Sequence, residues 1–479
     1  MRTRMSRHLG LISAASARAP NAPLHLSALA AAHTAPPSGL PPEFSWHDYI
    51  IYLLSMAAEI EHSLMVQYLY AAYSLGGPQV PQRARNDVLE WQRIILGIAK
   101  EEMGHLVTVQ NVLKLIGGPI HLDREDYPWV SGFYPYAFTL EPLSSRSLAK
   151  YVVAESPETW PSEVSEAERK EIEDLAREDA GHQVARVGAL YTDIIDKLAD
   201  QRRMPDHLFR AETYPFQASW DEWGRGYAAG ARGSTPDTAP DVLVLRASSR
   251  TEAITALQSV AEQGEAPKLI VANKQDSHFS RFLTVYRKFS TASGFSPALP
   301  VPHDPRVPGL GSTDGGTLIV NAEAKLWGGL FNLRYRMLLA YLAHAFRLSD
   351  DPAQSTAPGR RGQVVNQIFG EMYNLKAIAG LLVGLPLDND SSQRAGPPFQ
   401  MPYTLNFPAS EPDFWHLHLD LLDAAAAQLK ELRGHTSGAG RHYADALCKA
   451  DAATNVQINA VLSVGQTTSQ FLRSTGSVR

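Results

Sequence analysis

Between residues 46 and 75 (WHDYIIYLLSMAAEIEHSLMVQYLYAAYSL) the chain is apolar almost all the way round a helical projection, so this segment predicts a helix buried on most of its surface. A second helix is predicted over 82–116, from dense apolar positions that include Val88, Trp91, Ile95, Ile98, Leu106, Val109, Val112 and Leu113. It is stopped by Gly117-Gly118-Pro119. Further helices are predicted at 144–156 and at 164–200, the latter opening on Ser162 or Ser165 and a run of glutamates. After a Gly, Ser and Pro-rich stretch between Gly224 and Pro240 comes DVLVLRA, a short extended piece, and then Ser249-x-x-Glu252, a capping box that starts another helix. Asp276-Ser277-His278-Phe279 opens an amphipathic one. Core helices follow at 321–347 and 363–384, separated by long proline-rich loops at 291–319 and 385–411 of the kind that form lids or mouths. The fold class is mainly α.

Polar residues inside the apolar segments carry the chemistry. Glu59, Glu61 and His62 interrupt the first helix, and Glu101-Glu102-Met103-Gly104-His105 interrupts the second. A Glu and a His three apart share a helix face, so Glu102 and His105 can reach one ion while Glu61 comes from the neighbouring helix. Glu-x-x-His is common in solvated helices. Here the segment is apolar, and buried carboxylates need partners, for which a metal accounts best. Asp179-x-x-His182 has the same spacing but lies in a very polar segment and reads as an ordinary surface pair. Glu371, His344 and His416 read as structural.

Composition narrows the classes. The 479 residues are 44% hydrophobic, enough for a large core, and the net charge of −6 with no basic block argues against nucleic acid or a membrane surface as partner. A single cysteine, Cys448, excludes an internal disulfide framework and a cysteine-ligated metal centre, so any metal is held by His and carboxylates. No uncharged apolar run reaches the length of a membrane span, and a cytoplasmic protein is expected. Residues 1–42 contain four arginines and no acid, and are expected to be a disordered or extended arm rather than a cleaved address.

The strings EIEHSLMVQYLYAAYSL, IAKEEMGHLVTVQNVLKLIGGP, SVAEQGEA, DSHFSRF and AGPPFQMP resemble the ferritin-like family that includes the ferritin-like region of the iminophenylpyruvate dimer synthases. The resemblance runs from about residue 45 to 430. It implies a ferritin-like four-helix bundle at 43–290, additional helices and loops packed on it at 291–435, and a C-terminal extension at 436–479. It implies Glu61, Glu102, His105, Glu262 and His278 as metal ligands, with Glu265 and Asp276 as further candidates. A regular second half-site would carry a carboxylate three residues before His278, where this chain has Gln275. Glu59, His62, Gln67 and Glu101 would support the ligands from behind. Phe399 and Tyr403 would help to wall a substrate pocket. The donor set suits iron, as two ions, with manganese or a mononuclear site as alternatives. The implied activity is that of a non-haem oxidase or oxygenase using dioxygen on an amino-acid-derived small molecule in secondary metabolism, as a monomer or small homo-oligomer. A binding protein with a degenerate site, or iron oxidation and storage, are the other classes. The dimer synthases are much longer than this chain, which leaves the specific reaction open.

Overall fold

The computed structural model describes residues 40, 43–124, 134–223, 242–265, 276–308, 316–350, 359–389, 392–401 and 405–475, with side chains in the last helix to residue 463. Helix α1 (Trp46–Ser74) starts at Ser45, whose hydroxyl accepts from the Asp48 amide (3.2 Å). It packs along its length on α2 (Arg85–Leu115). Helix α2 stops where expected: Gly117 takes a positive φ of 75°, and the Gly118 amide returns to the Leu113 carbonyl (2.7 Å).

The single helix expected over 164–200 is two. Helix α4 (Glu166–Ala180) ends at Gly181, whose φ of 73° closes the last turn, and α5 (Val187–Ala199) begins after a break. Before them, α3 (Ser145–Ala154) is started by a reciprocal Ser144/Ser147 capping box. A four-residue turn, α6 (Trp220–Trp223), precedes α7 (Arg250–Glu265) and α8 (His278–Thr291). The second half holds α9 (Ala322–Ala345), α10 (Arg360–Leu382), α11 (Glu411–Leu432) and α12 (Gly438–Thr475). The strand content of the described residues is one two-residue parallel pair, Pro305–Arg306 with Thr317–Leu318.

Two hydrophobic cores result. The first gathers α1, α2, α3, α4, α5, α7 and α8, with Ile50, Leu54, Ile95, Ile98, Tyr151, Leu257 and Phe282 among its buried members. The second is built by α9 to α12 and also takes Val66, Tyr70, Met103 and Val107 from the outer faces of α1 and α2. This double duty explains why α1 is apolar all round: it is a wall of both cores. By length and hydropathy α1 could cross a membrane, but 89% of that window is buried inside the fold, as in a core helix.

Gly104 has a definite structural reason. A Cβ there would lie 2.4 Å from Val242 Cγ1 and 2.5 Å from the Leu243 carbonyl oxygen, so the glycine lets the extended 242–247 segment lie directly on α2. That segment is sewn down by Thr108, which accepts from the Leu245 amide, and by Asn111, which donates to the Leu245 carbonyl (2.8 Å).

Candidate metal centre

One helical face of α1 presents Glu61, Leu64 and Tyr68 at i, i+3 and i+7. Residues 59 and 62 turn away by about 200° and 100°. Opposite stands α2 with Glu102 and His105, and α8 delivers His278 from its first turn, where Ser277 caps the helix. The three side chains Glu102, His105 and His278 are buried, with one ligand atom from each lying within 4.8 Å of the others. Glu102 sits between the histidines: its Oε2 is 2.9 Å from His105 Nδ1 and its Oε1 is 2.9 Å from His278 Nδ1. Glu61 Oε2 lies 3.3 Å from His105 Nδ1, and the imidazole rings stack with centroids 5.3 Å apart.

A fifth side chain joins them that spacing gave no reason to pick. Glu155, the residue that closes α3, places Oε2 3.7 Å from His278 Nδ1, and its Oε1 accepts the Tyr68 hydroxyl (2.6 Å). The matching donor to Glu61 is the hydroxyl of Tyr191 on α5. A sequence signal for Glu155 did exist. An acid closing the apolar run YVVAES sits at a helix C-terminus, where the macrodipole disfavours negative charge.

Both histidines are oriented the same way. Each turns Nδ1 toward the carboxylates and commits Nε2 outward. His278 Nε2 donates to Glu101 (2.9 Å), itself paired with Arg281, and His105 Nε2 donates to the Gln263 side-chain oxygen (2.9 Å). With Nε2 committed to donation, Nδ1 is the nitrogen that would present its lone pair to a metal once its own proton is displaced. Three buried atoms that face inward, Glu61 Oε2, Glu102 Oε1 and His278 Nδ1, make no properly directed hydrogen bond. Buried polar atoms are rarely left so. Here they converge, and the donor set of carboxylate oxygen and imidazole nitrogen fits iron or manganese.

The electrostatics describe a cluster that holds protons when it holds no ion. Burial, then the neighbouring Glu102 charge, pushes Glu61 up to about 8. Burial opposes charge on His105, but Glu102 and Glu61 outweigh it and raise its pKa to about 10; His278 is likewise raised well above its usual value by Glu102 and Glu101. Glu102, despite burial, is held well below the carboxylate range by the two histidines. Burial keeps Tyr68 and Tyr191 as neutral phenols, with the adjacent carboxylates adding to the effect.

Several expected site residues lie elsewhere. Glu262 is exposed on α7. Gln263, one residue and about 100° further round, and Gly264 after it are the ones that face the cluster. Asp276 is exposed ahead of the Ser277 cap and does not complete the second half-site. The side chain of Glu265, and Gln275 and Tyr403, lie outside the described residues. Of the four supporting residues expected, Glu101 is placed behind His278. Glu59 instead binds His121 (2.6 Å) and Tyr134, and His62 meets the Leu122 carbonyl (3.1 Å) and the Tyr335 hydroxyl. Gln67 donates to the Ser63 carbonyl and accepts from the Thr139 amide. Phe399 is a core residue rather than a pocket wall: it is 2% exposed, with its ring edge-on to Phe331 (4.7 Å) and Tyr335. Asp179 pairs with Lys150 (2.7 Å), away from His182, which bonds the Gln183 carbonyl.

A family model described as Ferritin-like matches residues 54–287, the span that holds every residue of the cluster. This part of the chain is similar to the ferritin-like family. In its di-metal members two helices each give a Glu and two others each give Glu-x-x-His. Glu61 and Glu155 are this chain's candidates for the single glutamates. Glu102-x-x-His105 is a complete pair, and His278 is a pair whose carboxylate position is Gln275. Two curated relatives align over 80% of the chain. Dichlorochromopyrrolate synthase of Lentzea aerocolonigenes is 29% identical, and 2-imino-3-(indol-3-yl)propanoate dimerase of Chromobacterium violaceum is 27% identical. The chain spans only 38% and 37% of their respective lengths. A crystal structure of a ferritin-like protein from Caulobacter vibrioides overlays at 16% identity with a TM-score of 0.39. It covers 71% of this chain and 98% of that one, a likeness too loose to argue from.

Proposed function

We propose that the ferritin-like region is a non-haem metal-dependent oxidoreductase that uses dioxygen on an amino-acid-derived small molecule, with iron, as two ions, the metal that fits best. The observation that carries this reading is the convergence of Glu61 Oε2, Glu102 Oε1 and His278 Nδ1, buried and without a properly directed hydrogen bond, where the Glu102 carboxylate lies between two histidines. Glu61, Glu102 and His105 would hold one ion, and Glu102, Glu155 and His278 the other, with Glu102 shared. Bound iron supplies one-electron redox chemistry with dioxygen. The chain's own part is to orient and to exclude water. Glu101 and Gln263 fix the imidazole rings, Tyr191 and Tyr68 fix the two outer carboxylates, and Val187, Gly188, Val260 and Ala261 close an apolar wall over them. The space among these residues is about 10 Å³, roughly one water.

Both curated relatives carry names of biosynthetic enzymes, and one name specifies an imine of an indole amino-acid skeleton. That supports a substrate of amino-acid origin here and leaves the dimer-forming step unassigned, since most of each relative's length has no counterpart in the alignment. The exposed Glu262 and Asp276 favour one second reading, a binding protein whose second half-site is incomplete.

Metal content of protein from iron-supplemented cells, read with the absorption change when oxygen meets the reduced form, separates the two. Near two irons per chain and an oxygen-dependent spectrum, both abolished by Glu102→Ala, support the oxidase. Protein that stays metal-free after reconstitution refutes it.

A further inference from the structure

A second cavity, of about 240 Å³, opens between α9, α11 and the segment 405–408, and none of the residues of the metal centre line it. It exists because α9 carries a small residue at the right place. Ala340 sits among Leu338, Leu339, Tyr341 and Leu342, and one turn before it, on the same face, stands Arg336. The remaining walls are Leu405, Phe407, Pro408 and Leu417, with Asn406 at the exposed rim.

Arg336 is the sole charge on this lining. It is half-buried, and among the described residues no carboxylate pairs with it. Two fully buried arginines of the second half are paired instead: Arg334 with Glu371 and Asp451, and Arg361 with Glu222. A guanidinium fork in an apolar wall matches a carboxylate bidentately. One cation with no second donor cluster suits a monoanion rather than a phosphate. The space is large enough for a single aromatic ring with a short acidic arm. The Phe407 ring offers such a body a face or edge to pack on.

We propose that this cavity binds a small aromatic monocarboxylate, with its carboxylate on Arg336 and its ring against Phe407 and Leu417. The proposal does not depend on the metal centre.

Titration calorimetry of the full chain with phenylacetate, and with 2-phenylethanol as the uncharged counterpart, tests it. The expected result is one phenylacetate site, weakened at least tenfold by Arg336→Gln, partly restored by Arg336→Lys and unchanged by Glu102→Ala. The alcohol should bind wild type and Arg336→Gln alike. Absence of phenylacetate binding to wild type overturns the proposal, as does an affinity that Arg336→Gln leaves untouched. Binding that vanishes in Glu102→Ala would place the carboxylate at the metal cluster and overturn it too.

Discussion

Glu155→Gln separates the two jobs of the residue that motif spacing did not mark. The carboxylate holds Tyr68 through Oε1 and faces His278 with Oε2. A glutamine keeps a carbonyl oxygen for the Tyr68 hydroxyl, so the metal-free protein should unfold within about 1 kcal/mol of wild type. On the proposed assignment, an ion held by Glu102, Glu155 and His278 would lose one of three protein ligands and the charge that ligand carries. Removing a residue that only supports a ligand costs roughly 10- to 100-fold in affinity. Losing a ligand itself should therefore exceed 100-fold, about 2.7 kcal/mol. Iron titration monitored by absorbance and by metal analysis should fall from two ions per chain to one. Glu155→Ala should show the same stoichiometry and, in addition, lose about 1–3 kcal/mol of stability because the buried Tyr68 hydroxyl is left unpaired. Two ions bound by Glu155→Gln at wild-type affinity would refute the placement of Glu155 in the centre.

Other perturbations read other parts of the structure. Gly104→Ala gains up to about 1 kcal/mol of helix preference but drives a methyl into the Leu243 carbonyl, so urea melts should show net destabilisation of about 1–3 kcal/mol. Gly97→Ala, on the same helix with 3.7 Å to the nearest atom, should stabilise, and equal effects at both sites would refute the close approach. Glu101→Gln should weaken iron binding about 10- to 100-fold without changing its stoichiometry, checked by competition with a chelator. His344 and His418 share a hydrogen bond in the second core; burial holds His344 down to about 3 and His418 well below its usual value. Their folded forms bind fewer protons than the unfolded chain below pH 6.5. Stability from this pair is therefore complete above pH 6.5 and lost on acidification, by about 2 kcal/mol for His344 at pH 5. His344→Phe should flatten the wild-type slope of denaturant stability between pH 6.5 and 5, and an unchanged slope would rule the pair out.

How much of this was legible in sequence depended on whether the information was periodic. Glu61, Glu102 and His105 stand out because a 3.6-residue repeat of apolar positions surrounds them, and burial then demands a partner. The stop of α2, the start of α9 and the apolar character of α1 are local signals, and the structure agrees with them. Glu155 escaped because it sits at a helix end, and no spacing links it to His278, 123 residues later in the chain. Glu262 was favoured for the converse reason: the string Glu-Gln-Gly-Glu matches a motif, but rotation about α7 is decided by packing against α5 and α2, and that packing presents Gln263. Gly181 was legible in principle, since a glycine after Glu-Asp-Ala can end a helix, but the polar run on either side hid the break.

The same logic explains the supporting residues. Glu59, His62 and Gln67 share a helix with Glu61 and look like its neighbours in one dimension. On a helix that walls two cores, successive polar residues face different partners. Glu61 meets His105 of the Glu/His cluster, Glu59 the His121 segment, and His62 the Tyr335 hydroxyl of the second core. An all-round apolar helix with several buried polar residues is thus a junction, and each of its polar residues has to be assigned by its angle about the axis rather than by its distance along the chain.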